Sequence, residues 1–207
     1  MADSSPSQPV GGRLAVNFAN LPSLPASPPS EALSWEELIG FLRAAQIISS
    51  ERAEELMELT ETDPQSAFAL LKRAERLRDA LRSAFRQLAL RQRILREYVQ
   101  PINDVLQVTE GHDELVEAAK SWRIEYVARE GSLDWLLAAV ARSAAEIISE
   151  GEATRVRLCA NPSCSLIFYD ASRTHRRRWC SMSLCGNRHK VAAFARRRGT
   201  NKRGRLN

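Results

Sequence analysis

All four cysteines of this 207-residue chain lie within one stretch near its end, CANPSCSLIFYDASRTHRRRWCSMSLCGNRHK, as Cys159, Cys164, Cys180 and Cys185. They form two C-x4-C pairs separated by fifteen residues. Two short-spaced thiolate pairs joined by a folded connection can supply four soft ligands to one tetrahedral ion. Zinc is the first candidate, and an iron–sulfur cluster is the other metal reading. Two disulfides would need an oxidising compartment, and the first residues show no apolar signal-peptide stretch. Four thiolates leave no open coordination position for water, which argues for a structural rather than a catalytic zinc.

The residues between the cysteines suit such a site. Asn161-Pro162-Ser163 supplies a turn to the first pair. Leu166 to Tyr169 reads as a strand, and Asp170 to Ser172 as the turn after it. Ser183 is a candidate cap for a helix carrying Cys185 in its first turn. A strand–knuckle–strand–helix order predicts a treble-clef-like finger. On that helix Leu184, Val191, Phe194 and Ala195 share one side, expected to pack on the finger's hairpin. His189, Lys190, Arg196 and Arg197 take the opposite side, and Arg188 lies at the margin, placed to support the knuckle or brace Asp170.

The run from Trp179 to Lys190, WCSMSLCGNRHK, resembles the signature of the CGNR zinc-finger family, and CANPSC with LIFYD is similar to that family's first half. Near the other end, LAVNFANL (Leu14 to Leu21) resembles the opening motif of the stress-induced transcription regulator (ABATE) domain that usually accompanies this finger. Asn17 and Leu21 stand where that motif typically has Asp and Thr. The resemblance implies a DNA-binding transcription regulator.

Charge is segregated along the chain. From Arg155 onward there are fourteen Lys or Arg and one acid, Asp170, a balance of +13; Met1 to Thr154 carry sixteen basic and twenty-four acidic residues, a balance of −8. A cationic module on an acidic body is the electrostatic footprint of a polyanion binder. The candidate nucleic-acid contacts are Arg176, Arg177, Arg178, Arg188, His189, Lys190, Arg196, Arg197, Arg198, Lys202 and Arg203. Such cations neutralise phosphates without reading sequence, and Arg196 or Arg197 could reach base edges. The expected partner is nucleic acid, with duplex DNA favoured because few aromatics are available to stack on single-stranded bases. An RNA- or ribosome-associated module and a protein-interaction adaptor are the competing readings. No membrane partner is expected.

The rest of the chain reads as mainly α. Residues 1–12, rich in Ser, Pro and Gly, are expected to be a disordered tail. Arg13 to Leu21 reads as a short strand or irregular apolar stretch. Ser34-Trp-Glu-Glu37 is a capping box that starts a helix over 35–45; Ser50 starts another to about Thr60; Asp63-Pro64 starts a third. In that long helix Ala67, Leu71, Ala74, Leu77, Leu81, Ala84, Phe85 and Leu88 recur at helical spacing. The basic residues between them, including Arg73, Arg76, Arg78, Arg82 and Arg86, read as a solvated face, with a second nucleic-acid surface as the competing reading. Pro101 is expected to end or kink the segment, with a short helical piece over 102–106. Residues 114–118 and 122–128 read as a hairpin from the alternation at Trp122, Ile124, Tyr126 and Ala128, with a helix running on through Ala118 and Ala119 as the competing reading. Ser132 begins a last helix that Gly151 ends.

The expected organisation is α+β and mainly α: an N-terminal helical domain with a small hairpin over 13–152, a four-cysteine finger over 153–198, and a basic tail over 199–207. The helical domain is the expected seat of a homodimer contact or a small-molecule effector. With no phosphate-binding glycine loop and no nucleophile turn, the chain reads as a cytoplasmic, nucleoid-associated binding protein rather than an enzyme.

Overall fold

The computed structural model describes residues 11–21, 32–108, 111–118, 121–128, 133–188, 190 and 191. The first element among the described residues is α1 (Leu14–Ala19), a helix where the sequence suggested a strand or irregular stretch. Its N-cap, Arg13, makes no side-chain capping bond, and six residues are too few to hold a helix alone. Burial supplies what propensity lacks: Ala15, Val16, Phe18 and Ala19 are completely enclosed. Tertiary packing thus decides the conformation of this motif.

Of the next three helices, the first and third begin at their predicted caps. α2 (Trp35–Ala44) has both halves of its capping box, the Glu37 amide donating to Ser34 Oγ and the Ser34 amide to Glu37 Oε2. α3 (Ser50–Thr62) is capped by Ser49, one residue before the expected Ser50. α4 (Pro64–Ala89) starts at Asp63, whose carboxylate accepts the Ser66 amide at 3.1 Å. Its core side includes Ala67, Leu70, Ala74, Leu77, Leu81, Phe85 and Leu88. Leu71, expected on that face, is only partly buried.

α4 stops at Ala89, and Arg91 turns the chain with φ 57°. α5 (Arg96–Val108) then continues past Pro101. The expectation that Pro101 would end the helix is therefore corrected. Its missing N–H orphans only the carbonyl of Glu97 in the first turn, while Ile102 and Val105 beyond it are buried.

β1 (Gly111–Ala118) and β2 (Ser121–Ala128) form the expected antiparallel hairpin, with Leu115 opposite Ile124. Ser132, the expected start of the last helix, lies outside the described residues. A 3₁₀ turn, Asp134–Leu137, leads into α6 (Ala138–Ser149), and Gly151 at φ 56° turns the chain toward the finger. There β3 (Val156–Leu158) pairs antiparallel with β4 (Ile167–Tyr169).

β4 divides its side chains between two cores, as alternation along a strand requires. Ile167 and Tyr169, with Val156 from β3, belong to the main core alongside Phe18, Leu81 and Phe85. Phe168 faces the other way, into a small cluster with Cys159, Leu166, Cys180 and Cys185. β3 lies against α4, and β4 against α1. Among the described residues, no helix is long and apolar enough to cross a membrane.

Candidate metal centre and cationic surface

The first cysteine pair is shaped by a tight turn at the end of β3. The Cys164 amide donates to the Asn161 carbonyl at 2.9 Å, and the Cys159 amide closes the base of the loop on the Leu166 carbonyl at 3.1 Å. Of the second pair, Cys185 is carried by a π-helical turn, Met182–Gly186, and Cys180 lies just before that turn. Its cap is Ser181, whose hydroxyl accepts the Leu184 amide, rather than the expected Ser183. Two bonds bring the halves together. The Ala160 amide donates to the Arg178 carbonyl at 2.8 Å, and the side-chain amide of Asn161 reaches the Cys185 sulfur at 3.5 Å.

The four sulfurs lie within 4.8 Å of one another. Cys164 and Cys180 are 3.8 Å apart, and Cys180 and Cys185 3.6 Å. A tetrahedron of sulfurs about 2.3 Å from zinc has edges of about 3.8 Å, so the residues fit one zinc ion. The separations are well beyond a bonded S–S distance of about 2.05 Å, and all four cysteines are free. Sulfurs this close surround a single ion rather than a cluster of several metal atoms. The site holds one structural zinc through Cys159, Cys164, Cys180 and Cys185.

The thiol chemistry agrees. Burial, with the neighbouring sulfurs, pushes Cys164 up to about 11, and burial and the adjacent Cys164 and Cys159 raise Cys180 further. Burial would also raise Cys185, but the Asn161 amide and the other thiols bond to its sulfur and bring it below its ordinary value. Cys164 and Cys180 are thus held as thiols in the metal-free site, and because a metal binds the thiolate, its uptake releases protons.

Asp170, expected only as a turn residue, organises the loop between the pairs. It is fully buried. One oxygen accepts the Ser172 amide and hydroxyl, the other the Arg177 amide at 2.9 Å. Burial pushes its pKa up, yet these bonds and nearby His175 outweigh burial and hold it below its ordinary value. Arg188 is not among its partners in these bonds; it stays exposed.

The three consecutive arginines have different roles. Arg177 folds back: its guanidinium sits over the Phe168 ring at 4.9 Å and donates to the carbonyls of Trp179 and Cys180. Arg176 and Arg178 are exposed, Arg178 lying over the Trp179 ring at 5.3 Å. Arg173, Arg188 and Lys190 are also exposed. His189, Arg196, Arg197, Arg198, Lys202 and Arg203 lie outside the described residues, as do Phe194 and Ala195. Leu184 and Val191, expected to pack on the finger's hairpin, are instead 37% and 69% exposed. The π-helical turn accounts for this, because it breaks the α-helical phase used to assign the faces.

The long helix corrects a second expectation. Arg78 is only 3% exposed and bonds Asp79. Arg82 donates to the carbonyls of Ala19 and Leu21, clamping the end of α1. These two are structural, whereas Arg76 and Arg86 are exposed.

Compared with known families, residues 12–151 match the model of ABATE, "Putative stress-induced transcription regulator". Residues 155–198 match the CGNR zinc finger. No curated protein matches the chain.

Proposed function

The chain belongs to the ABATE family and closes in a CGNR zinc finger, and we propose that it is a transcription regulator that binds duplex DNA through the finger. The observation that carries this reading is the exposure of Arg173, Arg176 and Arg178 on the loop between the cysteine pairs, and of Arg188 and Lys190 on the helical segment after Cys185. Zinc would supply the tetrahedral charge that holds those loops; the chain's own cations meet the phosphates. Neutralising phosphates releases counterions and provides affinity whatever the sequence.

Duplex DNA is preferred over single-stranded RNA on the finger's aromatics. Phe168 and Tyr169 are buried, and the Trp179 ring is partly buried and covered by Arg178. That leaves little open ring surface for stacking among the described residues. The protein acts by binding rather than by catalysis. For the helical domain the reading is a homodimer contact or a small-molecule effector; its surface carries an open cleft between α4 and α5, lined by Arg73, Arg76, Pro101, Asp104, Gln107 and Val108. Competition among duplex DNA, structured RNA and single strands at several salt concentrations tests the reading. The duplex should win, and preferential retention of RNA would overturn it.

A further inference from the structure

The outer edge of β4 is paired, but not by a strand. The inner edge faces β3, to which the Leu166 carbonyl also turns when it accepts the Cys159 amide. The backbone groups of Ile167 and Tyr169 therefore point away from β3. Asn20, just past the end of α1, meets the first of them. Its Nδ2 donates to the Ile167 carbonyl at 2.7 Å, and its Oδ1 accepts the Ile167 amide at 3.0 Å. A primary amide presents one donor and one acceptor, as a peptide unit does, so Asn20 stands in for a residue of a third strand. Gly11 continues that edge, its carbonyl accepting the Tyr169 amide at 2.7 Å. Beyond it the Tyr169 hydroxyl donates to Glu150, which also pairs with Arg13.

These contacts hold only one half of the finger. Cys159 and Cys164 sit on the loop between β3 and β4, whose strands are sealed to the helical body by hydrogen bonds and by Val156, Ile167 and Tyr169 in the main core. Cys180 and Cys185 sit on the segment after Asp170. That segment joins the first half through the Ala160–Arg178, Asp170–Arg177 and Asn161–Cys185 bonds and through the sulfurs.

We propose that Asn20 is a positioning residue for the zinc site: it preorders the Cys159–Cys164 half from outside the finger, so that only the segment from Arg173 to Val191 depends on metal for its order. The α1 motif is then part of the metal site's scaffold, although it lies more than a hundred residues away in sequence.

Hydrogen exchange on the full-length protein, with zinc and after chelation, tests this together with chelator-competition zinc affinities. In wild type, chelation should expose the amides of Arg177, Cys185 and Gly186, while those of Ile167 and Tyr169 stay protected. Asn20→Ala should weaken zinc binding by about tenfold, at the low end for residues supporting metal ligands, and should let Ile167 and Tyr169 exchange after chelation. Leu56→Ala, in the helical core under Trp35, separates positioning from general stability: it should lower the melting temperature without changing zinc affinity. The proposal is overturned if folded N20A binds zinc as wild type does. It is equally overturned if chelation of wild type exposes Ile167 and Tyr169 together with Arg177. Should N20A fail to fold, this wild-type comparison decides the matter alone. DNA binding enters neither readout.

Discussion

Arg82 and Arg86 stand one turn apart on α4 and do opposite things. Arg82 holds the carbonyls of Ala19 and Leu21 at the end of α1, whereas Arg86 is exposed. Arg82→Ala should cost about 1–3 kcal/mol, the penalty for stranding buried polar groups, and Arg86→Ala should change stability by less than about 0.5 kcal/mol; urea unfolding of both variants measures the contrast. Asp170 makes a pH prediction. Its folded pKa is below the ordinary value of 3.8, so its stabilisation is full above that value and is lost as the pH falls from there toward the folded pKa. Wild type should therefore be more stable than Asp170→Asn at neutral pH, and acid titration should close the gap below about pH 4. The four cysteines were legible from spacing alone because a thiolate pair is a local signal. Asn20, Asp170 and Arg82 were not legible as structural groups. Each acts through backbone groups that folding brings to it: Asn20 stands in the LAVNFANL motif and Asp170 was expected to pair with Arg188, yet neither residue's backbone partners can be read from its neighbours.

At the level of elements, capped helices were readable and context-dependent ones were not. The starts of α2 and α4 follow from Ser34, Glu37 and Asp63, whose side chains bond amides three residues away. The β1–β2 hairpin followed from alternation. α1 has no such cap and is helical because it is buried; α5 passes Pro101 because only a first-turn carbonyl is orphaned. The π-helical turn at Met182–Gly186 shifted the face assignment of Leu184 and Val191. The metal site is where the elements of the finger meet, and elemental analysis should find about one zinc per chain. Cys180→Ser should lose that metal, since three thiolates and a hydroxyl make a poorer soft-ligand set.

Across the whole molecule, the charge division was visible at once, and the shared core was not. Val156, Ile167 and Tyr169 lie beyond residue 152 yet sit in the main core with Phe18 and Phe85. A fragment ending at Glu152 should still melt cooperatively, because α1 to α6 retain their own apolar packing, but at a lower temperature than the full chain. A non-cooperative transition would show that the finger's strands complete the fold. The central claim, that the finger's exposed cations bind duplex DNA, is tested most directly by the salt dependence of duplex binding for the wild type and for a variant with Arg176→Ala and Arg178→Ala. Arg177 is left in place because it braces Trp179 and Cys180. The variant should keep its zinc, bind all duplexes more weakly, and show a log–log salt slope shallower by about 0.9 for each phosphate that is no longer neutralised. An unchanged affinity and slope in the zinc-loaded variant would contradict the account.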